Sequence, residues 1–148
     1  MDILTSAAAL AAVMVLGLTA GALLAEGGLL VPFWRSLAPE AFLAWYKQHA
    51  ALLQNFFGPL EIAAGVLTLI AAGLHWGRAG GALLAVAALL TLAVLAVFPL
   101  YFQHANTSFA RGTIDPASVT HELARWKMWH WGRTILAVGA FGCSILAV

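Results

Sequence analysis

The residues best suited to chemistry stand at the start of the last hydrophobic segment, in residues 126–133, which read WKMWHWGR. The apolar run after them, residues 135–148, is shorter than the about 20 residues that a membrane-spanning helix needs. A helix that crosses a bilayer here must therefore include His130 and Arg133. Ionisable side chains at that depth are costly and require partners in the interior of a bundle, so we expect a functional site in this segment.

Glu61 and Arg133 are predicted to lie at the same depth on neighbouring helices. At a rise of 1.5 Å per residue, Glu61 stands about 20 Å from Leu74 and Arg133 stands about 22 Å from Val148. An opposite-charge pair at matched depth is the least costly way to bury both groups. We therefore predict a Glu61–Arg133 salt bridge.

Other polar side chains are expected at the same end of the bundle. Trp126, His130 and Arg133 share one face of the last predicted helix, because they are four and three residues apart. The further polar residues are Glu26, His49, Asn55, His104 and Asn106. The side chains expected to contact a bound molecule are Trp34, Asn55, Trp126 and Trp129. An apolar pocket with a few placed polar groups is the usual form of a small-molecule site, whereas the alternative is an aromatic belt at headgroup level.

A metal or haem site is an alternative use of the same residues. The candidate ligands are Glu26, Glu61, His49, His104 and His130, whose side chains suit iron, copper or zinc. Against a di-iron carboxylate bundle, the sequence has no Glu-x-x-His motif, and it carries no haem attachment signature. No cofactor is therefore favoured, and haem or a transition metal stays open.

Composition predicts an integral membrane protein of the all-α class. Hydrophobic residues make up 63 % of the chain and charged residues 9 %, against about 25 % charged in an average soluble domain. Four apolar runs follow one another, which predicts a single domain over residues 1–148. The net charge of +1 argues against a nucleic-acid partner, and the single Cys143 excludes an intramolecular disulfide and a Cys-x-x-Cys redox motif.

The predicted fold is an up-down-up-down four-helix membrane bundle. The predicted helices cover about residues 3–34, 40–74, 79–104 and 116–148. Pro59 and Pro99 are expected to kink the second and third helices. Residues 103–116 form a polar loop in this prediction, and Asp115 caps the last helix, which begins at Pro116. The first apolar run lacks a basic start and is longer than a signal-peptide core, so we interpret it as a retained helix.

Charge placement predicts the orientation in the membrane. Five basic residues fall on one side, at Arg35, Lys47, Arg111, Arg125 and Lys127, and only Arg78 falls on the other. The positive-inside rule then puts both termini outside and the two larger loops in the cytoplasm. Membrane lipids are the expected surroundings. Gly17 and Gly21 permit close helix packing, within the bundle or between copies in a homo-oligomer.

With these residues in view, the sequence resembles a family of small four-helix membrane proteins that includes the anthrone oxygenases. The resemblance covers nearly the full length and rests on residues 31–34 (VPFW), 39–45 (PEAFLAW), 98–99 (FP) with Asn106, and 123–134 (LARWKMWHWGRT). The closing Trp-x-x-Trp-His-x-x-Arg pattern is the most specific part. Glu26 and His104 fall outside any signature of the family, which keeps metal or haem chemistry open.

The resemblance implies a cofactor-independent oxygenase that converts electron-rich anthrones to anthraquinones. Such a reaction needs a base that forms a carbanion and donors that hold the resulting enolate. His130 is then the expected base, with Arg133 and Asn106 as oxyanion donors and Glu61 as the residue that orients them.

The leading interpretation is thus a membrane-embedded oxidoreductase, an oxygenase acting on a hydrophobic aromatic or lipid-like substrate near one membrane face. The alternatives are a non-enzymatic lipid- or quinone-binding protein and a haem- or metal-binding protein.

Overall fold

The chain folds into helices that are joined by short turns. A computed structural model describes residues 3–148. The helices are α1 (Ile3–Ala25), α2 (Val31–Ser36), α3 (Pro39–Leu74), α4 (Gly81–Val97), α5 (Gln103–Arg111) and α6 (Pro116–Ala147). Two π-helical segments, Glu26–Leu30 and Phe98–Phe102, connect α1 to α2 and α4 to α5 without a break. The described chain therefore forms four long helical segments, in agreement with the predicted all-α class.

The four segments pack as a closed bundle. Each long helix contacts the next along the chain, and α6 returns to pack against α1. Small side chains form much of the core at one end, where Ala12, Ala71 and Ala88 are buried and allow the helices to approach closely. At Gly17 an added Cβ would lie 2.9 Å from the Phe141 ring, whereas Gly21 has open space around it. Gly17 thus serves packing inside the bundle.

Three of the four segments are long and apolar enough to cross a membrane. They are Ile3–Ser36, Pro39–Leu74 and Gly81–Arg111, judged by length and composition. Helix α6 differs because its first half is polar and because His130 and Arg133 interrupt its apolar half. The predicted fourth crossing therefore stays a prediction, as do the up-down topology and the orientation.

The end of the bundle that holds the site is built from aromatic side chains. Trp34, Phe42, Phe102, Phe109 and Trp126 are each at most 2 % exposed and belong to one continuous core. Their rings meet edge to face, for example Phe42 and Phe109 at 5.0 Å and Trp34 and Trp126 at 5.3 Å. This aromatic core fixes the positions of α2, α3, α5 and α6 relative to one another.

The third long segment continues beyond its predicted end. We expected a polar loop from residue 103, but α5 runs from Gln103 to Arg111. The reason is a helical apolar pattern that the polar residues conceal: Phe102, Ala105 and Phe109 are all buried against the aromatic core. Gly112, with φ of 63°, then ends the helix in the left-handed conformation that glycine adopts without strain.

The predicted start of the last helix is confirmed. The Asp115 side chain accepts a hydrogen bond from the Ala117 backbone N–H at 3.0 Å, and α6 begins at Pro116. Helix α3 continues through Pro59, and Pro99 lies in the second π-helical segment. Kinks at these two prolines stay predictions.

Candidate functional site

One buried arginine organises the polar residues of the bundle. The Arg133 guanidinium donates from Nη1 to Glu61 Oε1 at 3.1 Å and from Nη2 to Glu26 Oε2 at 2.8 Å. Its Nε donates to His130 Nδ1 at 3.3 Å. All four side chains are at most 6 % exposed. The predicted Glu61–Arg133 salt bridge is therefore present, and Glu26 is a second carboxylate on the same cation.

Three helical segments bring this cluster together. Helix α6 carries Trp126, His130 and Arg133 on one buried face, as their spacing predicted. Glu61 comes from the middle of α3, and Glu26 opens the first π-helical segment. The second π-helical segment supplies Phe102, whose ring lies 4.2 Å from the guanidinium carbon and covers its face. Both π-helical segments thus meet at Arg133, which fits the frequent occurrence of such segments at functional sites.

His130 is held by the protein through both ring nitrogens. Its Nε2 lies 2.9 Å from the Leu23 carbonyl oxygen, which can only accept, so Nε2 donates. Nδ1 of the neutral ring is then the acceptor for Arg133. Glu26 Oε2 lies 3.4 Å from the same Nδ1, which makes an ion pair only if the ring is protonated. The ring also stacks on Trp126, with centroids 5.0 Å apart.

A glycine makes room for this histidine. A Cβ added at Gly27 would lie 2.9 Å from His130 Nε2 and 3.2 Å from the Trp131 ring. The absence of a side chain therefore lets the imidazole reach the backbone of α1. At the adjacent Gly28 an added Cβ would meet open space.

The cluster forms one end of a cavity of about 460 Å³, within the range of ordinary small-molecule sites. Glu26, Glu61 and Arg133 line its polar end. The apolar walls come mainly from α3 and from the region where α4 ends: Leu53, Phe57, Ile62, Leu95 and Phe98. A largely apolar molecule with one polar end matches this division.

Asn106 adds an oriented donor to the cavity. The Trp126 indole N–H donates to Asn106 Oδ1 at 2.9 Å. Because the oxygen is engaged, the Asn106 amide NH₂ is the group available to a ligand. Both residues line the cavity.

The structure brings together some of the sequence-predicted site residues and separates others. Glu61, Asn106, Trp126 and Arg133 line the cavity, and His130 lies behind Arg133. Trp34 belongs to the aromatic core. Trp129 is 39 % exposed and stacks on Tyr101, and Asn55 is exposed on α3, where its neighbour Gln54 lines the cavity instead.

The predicted metal ligands do not converge on a common centre. The Arg133 guanidinium occupies the space between Glu26, Glu61 and His130, where a metal ion would need to be. His49 bonds to the Trp45 carbonyl at 2.7 Å and stacks on that indole, and His104 is exposed. Within residues 3–148, no group of three or more His, Cys, Asp or Glu side chains is arranged to hold a metal.

The pairing of Glu26 with Arg133 was not predicted from the sequence. The same is true of Gln54 and Gln103, which line the cavity. The sequence does carry a signal for Glu26. It is a charged residue between two pairs of leucines, and a charge inside an apolar stretch usually has a buried partner. The two glutamines carried no comparable signal.

The model of a family described as anthrone oxygenase matches residues 45–143. The matched range includes Glu61, Asn106, Trp126, His130 and Arg133, and it begins after Glu26. No curated protein and no solved structure matches the chain significantly.

Proposed function

The chain belongs to the anthrone oxygenase family, and from this premise we propose that it is a membrane-embedded oxygenase acting on a flat, hydrophobic aromatic substrate. The observation that carries the proposal is the cavity, in which a buried carboxylate–guanidinium cluster faces apolar walls. Such a site offers a proton acceptor and oxyanion donors at one end and room for fused rings along the other.

The proposed reaction converts a methylene between two aromatic rings into a carbonyl. Loss of one methylene proton gives an enolate, whose electrons pass to O₂. A hydroperoxide forms at the same carbon and loses water, so one substrate and one O₂ yield one quinone and one H₂O. Because the substrate supplies the electrons, the protein needs only to hold it, remove the proton and stabilise the anion.

Arg133 and the Asn106 amide are proposed to stabilise the substrate anion. Both line the cavity and carry N–H groups that can donate to a bound oxyanion. In a water-poor site, such oriented donors stabilise a developing oxyanion far more than water does. Trp126 donates a hydrogen bond to Asn106, and His130 accepts one from Arg133. Trp126 and His130 are therefore positioning residues in this proposal.

The substrate is proposed to enter from the membrane near one face. Helix α3 has 36 residues, or about 54 Å, and exceeds the about 30 Å of a hydrocarbon layer. Its first part carries exposed polar residues, such as Glu40, Lys47 and Gln48, which supports the proposal that this end of the helix leaves the hydrocarbon. The cavity begins at Tyr46 and Ala50 on α3, close to that boundary.

The second candidate is a non-enzymatic lipid- or quinone-binding protein. The observation in its favour is the same contrast between a polar end and apolar walls, which also suits a headgroup and its tail. The two candidates differ in turnover, since the binder retains a quinone without consuming O₂.

Oxygen uptake tests the proposal. Purified protein in lipid nanodiscs, supplied with anthrone, is expected to consume one O₂ per anthraquinone formed, well above the uncatalysed rate. Arg133→Lys keeps the charge but loses the bidentate fork, and we expect it to lower kcat/KM by about 10²-fold. The matched control is Arg125→Lys on the exposed side of the same helix, where the arginine pairs with Glu122. Equal rates with and without protein would leave the binding protein as the better account.

A further inference from the structure

The proposed oxygenase reaction requires a base that reaches the substrate methylene, and His130 is poorly placed for it. Its Nε2 donates to the Leu23 carbonyl, and its Nδ1 accepts from Arg133. Neither nitrogen therefore has a free lone pair directed to the cavity. The cavity is lined instead by two carboxylates, Glu26 and Glu61.

The charges of the cluster favour a carboxylate base. Two carboxylates surround one guanidinium, and His130 is neutral in the tautomer that its partners impose. The cluster thus carries one formal negative charge more than positive charge. Transfer of one proton from a bound substrate to the cluster moves that extra negative charge onto the enolate, where the fused rings delocalise it, so the total buried charge does not increase.

The two carboxylates differ in their surroundings. Glu26 Oε2 accepts from Arg133 Nη2 at 2.8 Å. Glu61 binds Arg133 through Oε1 at the longer distance of 3.1 Å. A carboxylate held by one longer contact is freer to exchange its partner for a proton.

Glu61 also differs from Glu26 in having cavity-lining neighbours on its own helix. The residues one turn before it and next to it on α3, Phe57, Gly58 and Ile62, all line the cavity. Within the described part of the segment Ile3–Ser36, Glu26 alone contributes to the lining. A substrate lying along the α3 wall therefore contacts the helix that carries Glu61. From these contacts we infer that Glu61 is the base that removes the substrate proton.

The step balances without another reactant. The methylene C–H bond breaks, its proton forms an O–H bond with the Glu61 carboxylate, and the electron pair moves through the rings to the substrate carbonyl oxygen. Arg133 loses an anionic partner at Glu61 and gains one at the enolate oxygen. The guanidinium thus stays paired throughout, and no electron leaves the substrate until O₂ reacts.

Hydrogen exchange without oxygen isolates this step. Anthrone is incubated with the protein in D₂O buffer under argon, and deuterium at the methylene is measured by mass spectrometry. Wild-type protein is expected to exceed the uncatalysed exchange rate. Glu61→Gln, which keeps the shape and a hydrogen bond to Arg133, should lower the catalysed rate at least 100-fold. The matched control is Glu40→Gln, at the exposed start of the same helix, which should keep the wild-type rate. Glu26→Gln tests the other carboxylate of the cluster. Wild-type exchange in Glu61→Gln, or a loss confined to Glu26→Gln, would overturn the assignment.

A second measurement and a second variant keep the test decisive. Glu61→Gln should still unfold at a similar temperature and bind anthraquinone, the product, so that a lost rate reports chemistry. If that variant does not fold, Glu61→Asp withdraws the carboxylate by one methylene and is expected to slow exchange at least tenfold. A folded Glu61→Asp protein with the wild-type rate contradicts the assignment.

The failure of this inference is distinguishable from the failure of the proposed function. If wild-type protein accelerates neither exchange nor O₂ uptake, the oxygenase proposal itself fails. If it accelerates both and Glu61→Gln does the same, only the base is wrong. Accelerated O₂ uptake without exchange indicates electron loss before proton loss, and it also removes Glu61 from this role.

Discussion

Among single residues, the site depends on one buried cation, Arg133, which holds the two carboxylates Glu26 and Glu61. Depth along the helices was sufficient to pair Glu61 with Arg133, because rise per residue is nearly constant in any helix. The same measure does not show which nitrogen of His130 is free or which carbonyl it meets. The role expected for His130 depended on its residue type, whereas the structure gives both of its nitrogens to protein partners.

Removing the cation is expected to destabilise the protein. Arg133→Gln leaves Glu26 and Glu61 as two buried carboxylates without a positive partner, a change that typically costs about 3–5 kcal/mol. Thermal unfolding in detergent should show a clearly lower Tm. The triple variant that also carries Glu26→Gln and Glu61→Gln should recover much of the loss. An unchanged Tm in Arg133→Gln would refute the view that the three charges depend on one another.

Gly27 and Gly28 provide a matched pair for the histidine contact. Gly27→Ala places a methyl group 2.9 Å from His130 Nε2, so the ring must move from the Leu23 carbonyl at a cost of about 1–3 kcal/mol. Gly28→Ala meets open space and gains helix propensity, so its Tm should equal or exceed that of wild type. Equal Tm values for the two variants would contradict the close packing of His130 on α1.

At the scale of the helices, composition and periodicity located the four long segments and most of their ends, except the end of the third segment. The four segments were predictable because each contains an apolar run. Helix α5 was not predictable, because its buried residues, Ala105 and Phe109, stand among polar neighbours. Only their packing against the aromatic core makes this pattern favourable for a helix. The pairing of Glu26 with Arg133 was missed for a related reason. Glu26 lies in a π-helical segment, and no sequence pattern predicts such a segment.

Helix α5 therefore depends on Phe109. This ring is 1 % exposed and lies 5.0 Å from Phe42 and 5.4 Å from Tyr46. Phe109→Ala is expected to lower the free energy of unfolding by about 3–5 kcal/mol and to speed hydrogen exchange of the α5 amides. Arg111→Ala, at the exposed end of the same helix, is the control and should change neither. Unaltered exchange in Phe109→Ala would mean that α5 is held by other contacts.

At the scale of the whole molecule, the bundle places an aromatic, ring-filled end beside an alanine-rich end. The cavity lies within the first, where three helical segments supply its charges. The proposed orientation follows from the excess of basic residues at this end. It can be tested with single cysteines in a Cys143→Ser background. Thr113→Cys, in the α5–α6 turn, should react with an impermeant maleimide only after cells are opened, and Gly77→Cys should react on intact cells. The reverse pattern would invert the topology.

The central claim is that this end of the molecule uses O₂ to oxidise a substrate methylene. The most direct measurement is the reaction of anthrone under ¹⁸O₂, followed by mass spectrometry of the anthraquinone. We predict that wild-type protein places one ¹⁸O atom in each new carbonyl, at a rate far above both that of Arg133→Lys and that of a blank without protein, which reports the uncatalysed background. Labelled product formed no faster with wild-type protein than with that variant, or new carbonyl oxygen that comes from water, would contradict the account.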